Sequence, residues 1–87
     1  MRVNAVAPGP IWTRLWYRPG GIADQLAAQY GVDRDAAVKQ FLETRQMPLG
    51  MGQPDDVANA VVFLASPLAK FITGAVLDIG GTLRGLI

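Results

Sequence analysis

Two short apolar runs, separated by nearly the whole chain, set the strongest limit on what these 87 residues can fold into. Arg2 to Ala7 carries Val3, Ala5, Val6 and Ala7, with Asn4 between them, and Ala75 to Ile79 forms the second run. Near-continuous runs of small and branched apolar residues suit strands covered on both faces, as in a parallel sheet. The residues between them read as loop and helix, so the order is strand, helical excursion, strand. That order is a crossover between parallel neighbours, which is right-handed in nearly all such units. Two parallel strands alone leave an unpaired edge and do not make a stable sheet. The expected architecture is α/β: a section of a doubly wound parallel sheet with two parallel strands and three to four helices.

The excursion is well punctuated. Pro8-Gly9-Pro10 should stop the first strand, because prolines cannot continue a hydrogen-bonded ladder. Ile11 to Gly21 reads as a loop with three aromatics, Trp12, Trp16 and Tyr17. Ile22 to Tyr30 reads as a helix with Ile22, Leu26 and Tyr30 on one face, ended by Gly31. Asp33 is placed to cap a second helix, whose stripe is Val38, Phe41 and Leu42. Met47 to Gln53 is a glycine-punctuated loop. Pro54 suits the first position of a third helix, where a missing N–H costs nothing, and Asp55 and Asp56 meet its positive end. Val57, Val61, Phe63 and Leu64 are expected to give this helix a broad buried face. Ser66-Pro67 breaks it and starts one more turn through Lys70. Thr73-Gly74 then leads into the last strand, which Gly80-Gly81 ends.

Composition excludes several kinds of chemistry. Eight basic and seven acidic residues are spread along the chain for a net charge of +1, so no basic stripe tracks a phosphate backbone and nucleic acid is not an expected partner. The absence of cysteine and histidine removes disulfides, thiolate or imidazole zinc sites and Ser-His-Asp triads; no metal site is expected. Met1-Arg2-Val3-Asn4 has no apolar signal core, and the apolar stretch Val57 to Ala65 is far short of the ~20 residues a membrane span needs. A cytoplasmic protein is the default expectation. With 51% hydrophobic and only 17% charged residues, the chain has more apolar surface than so small a unit can cover. That favours a partner, or a piece of something larger.

Three blocks carry a family resemblance. Arg2-Val3-Asn4-Ala5-Val6-Ala7-Pro8-Gly9-Pro10-Ile11-Trp12-Thr13 resembles the strand-six end of short-chain dehydrogenase/reductases. Pro48-Leu49-Gly50-Met51-Gly52-Gln53-Pro54-Asp55-Asp56-Val57-Ala58 resembles that family's helix-G entrance, and Phe71-Ile72-Thr73-Gly74-Ala75-Val76-Leu77 its strand-seven entrance. The resemblance implies a Rossmann-type fold, with residues 1–87 matching the C-terminal third of an NAD(P)-binding domain. It implies NAD or NADP as cofactor and a carbonyl/alcohol pair as substrate. Pro8 and Gly9 would shape a wall against the nicotinamide ring, and the Ile11 main chain would pair with the carboxamide. The Thr13 hydroxyl would bond near the carboxamide or pyrophosphate. Trp12 and Trp16 fall in the segment that covers substrate in this family. A homo-oligomer, or docking on a full-length relative, is implied as well, because helix G and strand seven commonly build subunit contacts there.

The departures from the pattern are as informative. Gly50-x-Gly52 is followed by Asp55 where a third glycine is needed, so no phosphate-cradling GxGxxG is present. The family's catalytic Tyr-x-x-x-Lys is missing, since Gly21 lies four residues after Tyr17 and Arg34 four after Tyr30. No catalytic residue is therefore assigned, and a non-catalytic remnant or docking partner is an alternative reading. The Pro48 to Gly52 loop is one residue short, and Gly80-Gly81-Thr82 replaces the usual Asp-Gly-Gly. Ile22 to Leu42 also looks like a helix-turn-helix, but Asp33, Arg34 and Asp35 at its second helix would bring carboxylates to DNA. Asp78 to Thr82 has a weaker likeness to a sugar-kinase phosphate loop.

Overall fold

The computed structural model describes residues 1–81. Strand β1 (Ala5–Pro8) is followed by a single helical turn, α1 (Arg14–Tyr17), and by helices α2 (Ile22–Tyr30), α3 (Arg34–Thr44) and α4 (Pro54–Ala65). A 3-10 turn (Pro67–Ala69) leads to strand β2 (Val76–Ile79). The two strands pair in parallel, with Ala5 opposite Val76 and Pro8 opposite Ile79. This is the expected α/β section: two parallel strands joined by an all-helical excursion.

Local chemistry explains most of the boundaries. Gly31 closes α2 with φ 69°, a left-handed conformation that costs glycine little. The Asp33 carboxylate accepts from the Ala36 N–H at 2.8 Å and so caps α3. Pro54 opens α4, and the Asp56 carboxylate accepts from the Gln53 N–H at 2.7 Å. Asp56 thus makes a specific reciprocal cap as well as complementing the helix dipole.

Two local expectations need correction. Pro8 is the last residue of β1 rather than the first beyond it. The Ala5 and Gly9 N–H groups donate to Ala75 and Ile79, so with strand periodicity the Pro8 nitrogen faces away from β2 and its missing hydrogen costs this pair nothing. The stretch from Ile11 to Gly21 is not all loop, because Thr13 accepts from the Trp16 and Tyr17 N–H groups and starts α1.

The entrances to the two strands are latched together. Arg2 Nη1 and Asn4 Nδ2 both donate to the Ile72 carbonyl at 3.1 Å, and Asn4 Oδ1 accepts from the Ala75 N–H at 2.9 Å. Asn4 therefore fixes the entry of β2 against β1.

The core is small. Trp16, Ala23, Ala37, Met47 and Ala69 are buried, and Ala23 and Ala37 let α2 and α3 approach closely. The broad buried face expected on α4 is not formed. Val61, Val62 and Phe63 are exposed, and Val57 and Leu64 are only half-buried. Two strands supply too little sheet to cover a helix that is apolar on most sides. The accessible surface, 6296 Å², exceeds the ~5000 Å² typical of a folded monomer of 9.3 kDa. With extents of 50 × 27 × 15 Å, the molecule is a slab with uncovered apolar faces.

Candidate cofactor and substrate site

The site is built where β1 and β2 end. The Gly9 N–H donates to the Ile79 carbonyl at 3.1 Å, and a Cβ on Gly9 would lie 2.7 Å from the Gly80 Cα and 2.9 Å from its oxygen. The two chains leave the sheet backbone against backbone, which only glycine permits there. Beyond the bend, the Pro10 carbonyl accepts from the Gly52 N–H at 3.1 Å and the Trp12 N–H donates to the Gly52 carbonyl at 2.7 Å. Ile11 is thereby bridged in parallel to Gly52.

That pairing has a direct consequence. In a parallel bridge of this kind the flanking residues make the bonds, so the N–H and C=O of Ile11 itself point the other way. Among the described residues neither has a hydrogen-bond partner. The Ile11 side chain lies over Gly52, where an added Cβ would meet its Cδ1 at 2.7 Å. Thr13 sits at the N-cap position of α1, yet its hydroxyl makes no capping bond. Pro8, Gly9, Ile11 and Thr13 thus form one short rim carrying an available amide, a carbonyl and a hydroxyl. This donor and acceptor set matches what a carboxamide requires, so the residues fit a nicotinamide at this rim.

The aromatic residues continue from the rim. Trp12 is half-buried, with its ring centroid 6.4 Å from that of Trp16 and 5.8 Å from that of Tyr17. Trp16 is buried and packs edge-on against Phe41 of α3 at 5.2 Å. Trp16 therefore stands behind Trp12 and joins it to the helical layer. Asp24 and Arg34 pair at 3.4 Å across α2 and α3, the Arg34 guanidinium donates to the Tyr17 carbonyl, and Asp24 accepts from the Gly20 N–H. These contacts tie α1, α2 and α3 into one unit beside the bend.

Two clefts flank the Gly52 bridge. One, of about 430 Å³, lies at the carboxyl ends of the strands and is lined by Gly50, Gly52, Asp56, Asp78 and Gly80 among others. The second, of about 290 Å³, is lined by Trp12, Asp35, Val38, Met51 and Gln53. A larger hollow of about 440 Å³ lies between Arg2, Asn4, Val6 and the α4 residues Val61, Leu64 and Ala65. It sits at the opposite end of β1 and is the uncovered groove between strand and helix. Ligands in open α/β sheets bind outside the carboxyl ends of strands, so the bend, not this groove, is the candidate site. Among the described residues no group of side chains could hold a metal ion. Sequence reasoning missed Gly52 as the partner of the bend, since pairing across 41 residues leaves no local mark. It also missed the Gln53-to-Asp56 cap, reading Asp55 and Asp56 only as complementing the helix dipole. Thr82 lies outside the described residues.

A strand, a glycine bend at the carboxyl edge of a parallel sheet, and a flanking helical cover match a section of a Rossmann-type α/β fold. A family model described as enoyl-(acyl carrier protein) reductase matches residues 1–82. The chain belongs to that family, the short-chain dehydrogenase/reductases, and corresponds to their C-terminal portion. It is 40% identical over 82 residues to a glucose and ribitol dehydrogenase homologue of Oryza sativa, covering 93% of this chain and 22% of that protein. L-fucose dehydrogenase of Bos taurus is 45% identical over 82 residues, with 93% and 26% covered. L-sorbose reductase from Gluconobacter frateurii, solved with NADPH and L-sorbose, superposes with a TM-score of 0.77 at 27% identity, over 94% of this chain and 30% of that one. A short-chain dehydrogenase family protein from Francisella tularensis gives 0.73 at 37% identity, over 92% and 31%. The chain spans about a quarter of the length of the curated relatives it matches.

Proposed function

We propose that this chain supplies the nicotinamide-side wall and part of the substrate cover of an NAD(P)-dependent oxidoreductase acting on a carbonyl/alcohol pair. The observation that carries this is the Ile11–Gly52 bridge, which occupies one side of the bend and leaves the Ile11 amide and carbonyl available on the other. In this reading the Ile11 main chain and the Thr13 hydroxyl hold the carboxamide. Pro8 and Gly9 bring stiff, side-chain-poor backbone against the ring. Trp12 forms the substrate-facing wall and buried Trp16 backs it. The bound nicotinamide supplies the hydride chemistry; these residues orient it and exclude water. A glycine-rich turn and a Tyr-x-x-x-Lys are absent from the sequence, so most of the affinity and the proton transfer come from other polypeptide. Lack of cysteine suits a reducing compartment such as the cytoplasm, and no helix among the described residues is long and apolar enough to cross a membrane.

A second reading concerns assembly. The exposed Val61, Val62 and Phe63 on α4 support docking of this chain against complementary sheet, in a homo-oligomer or on a full-length relative.

The test is a titration of the ¹⁵N-labelled chain with nicotinamide mononucleotide at millimolar concentration. The Ile11 and Thr13 amide signals should shift together and saturably, and Thr13→Val should weaken binding about three- to tenfold. Shifts confined to α4, or none at the bend, would refute the assignment.

A further inference from the structure

The support beneath the candidate rim runs from one peptide plane to the next. In a trans peptide the C=O of one residue and the N–H of the next point in opposite directions from one rigid plane. The Gln53 N–H donates to Asp56 Oδ2 at 2.7 Å, and the Gly52 carbonyl in the same plane accepts from the Trp12 N–H at 2.7 Å. The Trp12 N–H in turn shares its plane with the Ile11 carbonyl, which therefore points away from Gly52. Carboxylate, Gln53–Gly52 plane, Trp12–Ile11 plane and open carbonyl thus form a series with every dipole aligned. The head of the series has no other task. Among the described residues the Asp56 carboxylate makes no ion pair and no hydrogen bond besides that from Gln53, whereas Asp55 beside it makes none. The loop before Gly52 is held as well, by a bond from the Gly50 N–H to the carbonyl of buried Met47 at 3.1 Å.

We infer that Asp56 is a positioning residue: through these planes its carboxylate aims and polarises the Ile11 carbonyl as an acceptor for an uncharged primary amide. The inference rests on the nicotinamide reading of the bend and adds to it a side chain that touches no ligand. Hydrogen bonds in series polarise one another, each strengthening the next by about 10 to 30%. A carboxylate at the head gives the largest effect, since bonds to ionised groups are roughly twice as strong as neutral ones. A carboxamide N–H gains from a stronger acceptor, while a carboxylate ligand in its place has no hydrogen to give. The Ile11 N–H is oriented from the other side of Gly52, whose own N–H donates to the Pro10 carbonyl at 3.1 Å. The Ile11 carbonyl should therefore respond to Asp56 more than the Ile11 N–H does.

The experiment titrates nicotinamide mononucleotide and nicotinic acid mononucleotide into the ¹³C,¹⁵N-labelled chain and its variants. Asp56→Ala should bind the amide about three- to tenfold more weakly and lose its preference over the acid by the same factor. In the ligand-free variant the Ile11 carbonyl carbon signal should move further than the Ile11 N–H signal. Asp56→Asn keeps an acceptor oxygen for the Gln53 N–H and should recover most of the loss. Asp55→Ala removes a neighbouring charge that bonds nothing, and Asp33→Ala removes the cap on α3. Both should keep the amide preference, although Asp33→Ala lowers the urea midpoint about as far as Asp56→Ala does. Equal losses for the two mononucleotides, the same loss in Asp33→Ala, or no recovery in Asp56→Asn would reduce Asp56 to a structural cap and overturn the inference. Amide binding by the parent chain that Asp56→Ala leaves unchanged would sink this inference alone. Absence of saturable shifts at Ile11 in the parent chain would instead sink the cofactor reading, and the role given to Asp56 with it.

Discussion

Replacing Gly9 with alanine tests the geometry on which the site stands. Gly9 does not need a left-handed conformation; its constraint is the backbone of Gly80, 2.7 Å from where a Cβ would sit. Carbon atoms in ordinary contact are about 3.5 to 4 Å apart, so the ends of β1 and β2 must separate by about an ångström. Backbone cannot rotate aside as a side chain can. The separation costs about 1 to 3 kcal/mol of overpacking, and the stretched bond from Gly9 to Ile79 adds about 1 kcal/mol. With a core as small as this one, the loss is a large share of the stability of the fold. The melting temperature should fall by roughly 10 to 30 °C.

Urea unfolding followed by tryptophan fluorescence reads this directly, because Trp16 is buried. Gly31 provides the contrast. It has φ 69° and nothing within 4 Å of an added Cβ, so asparagine, which tolerates that conformation, should be nearly neutral there. Asparagine at position 9 should be at least as damaging as alanine. If Gly9→Ala unfolds within about 0.5 kcal/mol of the parent chain, the close passage of the two strands is not what glycine serves.

Other consequences are simpler to check. Asp33→Ala should cost about 1 kcal/mol by removing the cap on α3, read as loss of helical ellipticity and a lower urea midpoint. Asn4→Ala should cost about 1 to 3 kcal/mol, because it leaves the Ala75 N–H without its acceptor and frees the Ile72 carbonyl from one donor; hydrogen exchange at Ala75 should quicken. Val61→Lys combined with Val62→Lys should reduce self-association in sedimentation velocity, since both are exposed apolar residues of α4. An unchanged sedimentation profile would show that the α4 face does not drive association.

Much of this fold was readable because its signals are local. Ile22–Tyr30 lies where glycines bracket one amphipathic turn pattern, and the Asp33 cap and the Pro54 start follow from residue chemistry alone. Three features were not readable in that way. A four-residue helix such as α1 is too short to show a period. Proline in β1 is acceptable only because of which edge its nitrogen faces, and that is settled by the partner strand. Exposure of Val61, Val62 and Phe63 depends on how much sheet lies beneath α4, which no helical pattern encodes. At the site, the bend itself was legible from Pro8-Gly9-Pro10, whereas its bridge to Gly52 arises from tertiary packing.

That bridge connects the proposed cofactor rim to the start of α4. Asp56 fixes the Gln53 N–H, Gln53 follows Gly52, and Gly52 holds both Pro10 and Trp12 through its own N–H and carbonyl. The orientation of the Ile11 amide is therefore set by a helix cap 45 residues further along the sequence. A flexible loop could offer the same donor and acceptor, but it would lose conformational entropy each time it closed on a carboxamide. Here the cost is met in folding, because every backbone bond that orients Ile11 lies on the side away from the proposed carboxamide position. The position of Trp12 follows from the same two hydrogen bonds, so the aromatic residues and the proposed nicotinamide rim share one support. Anything that loosens the start of α4 should disturb both surfaces together rather than either one alone.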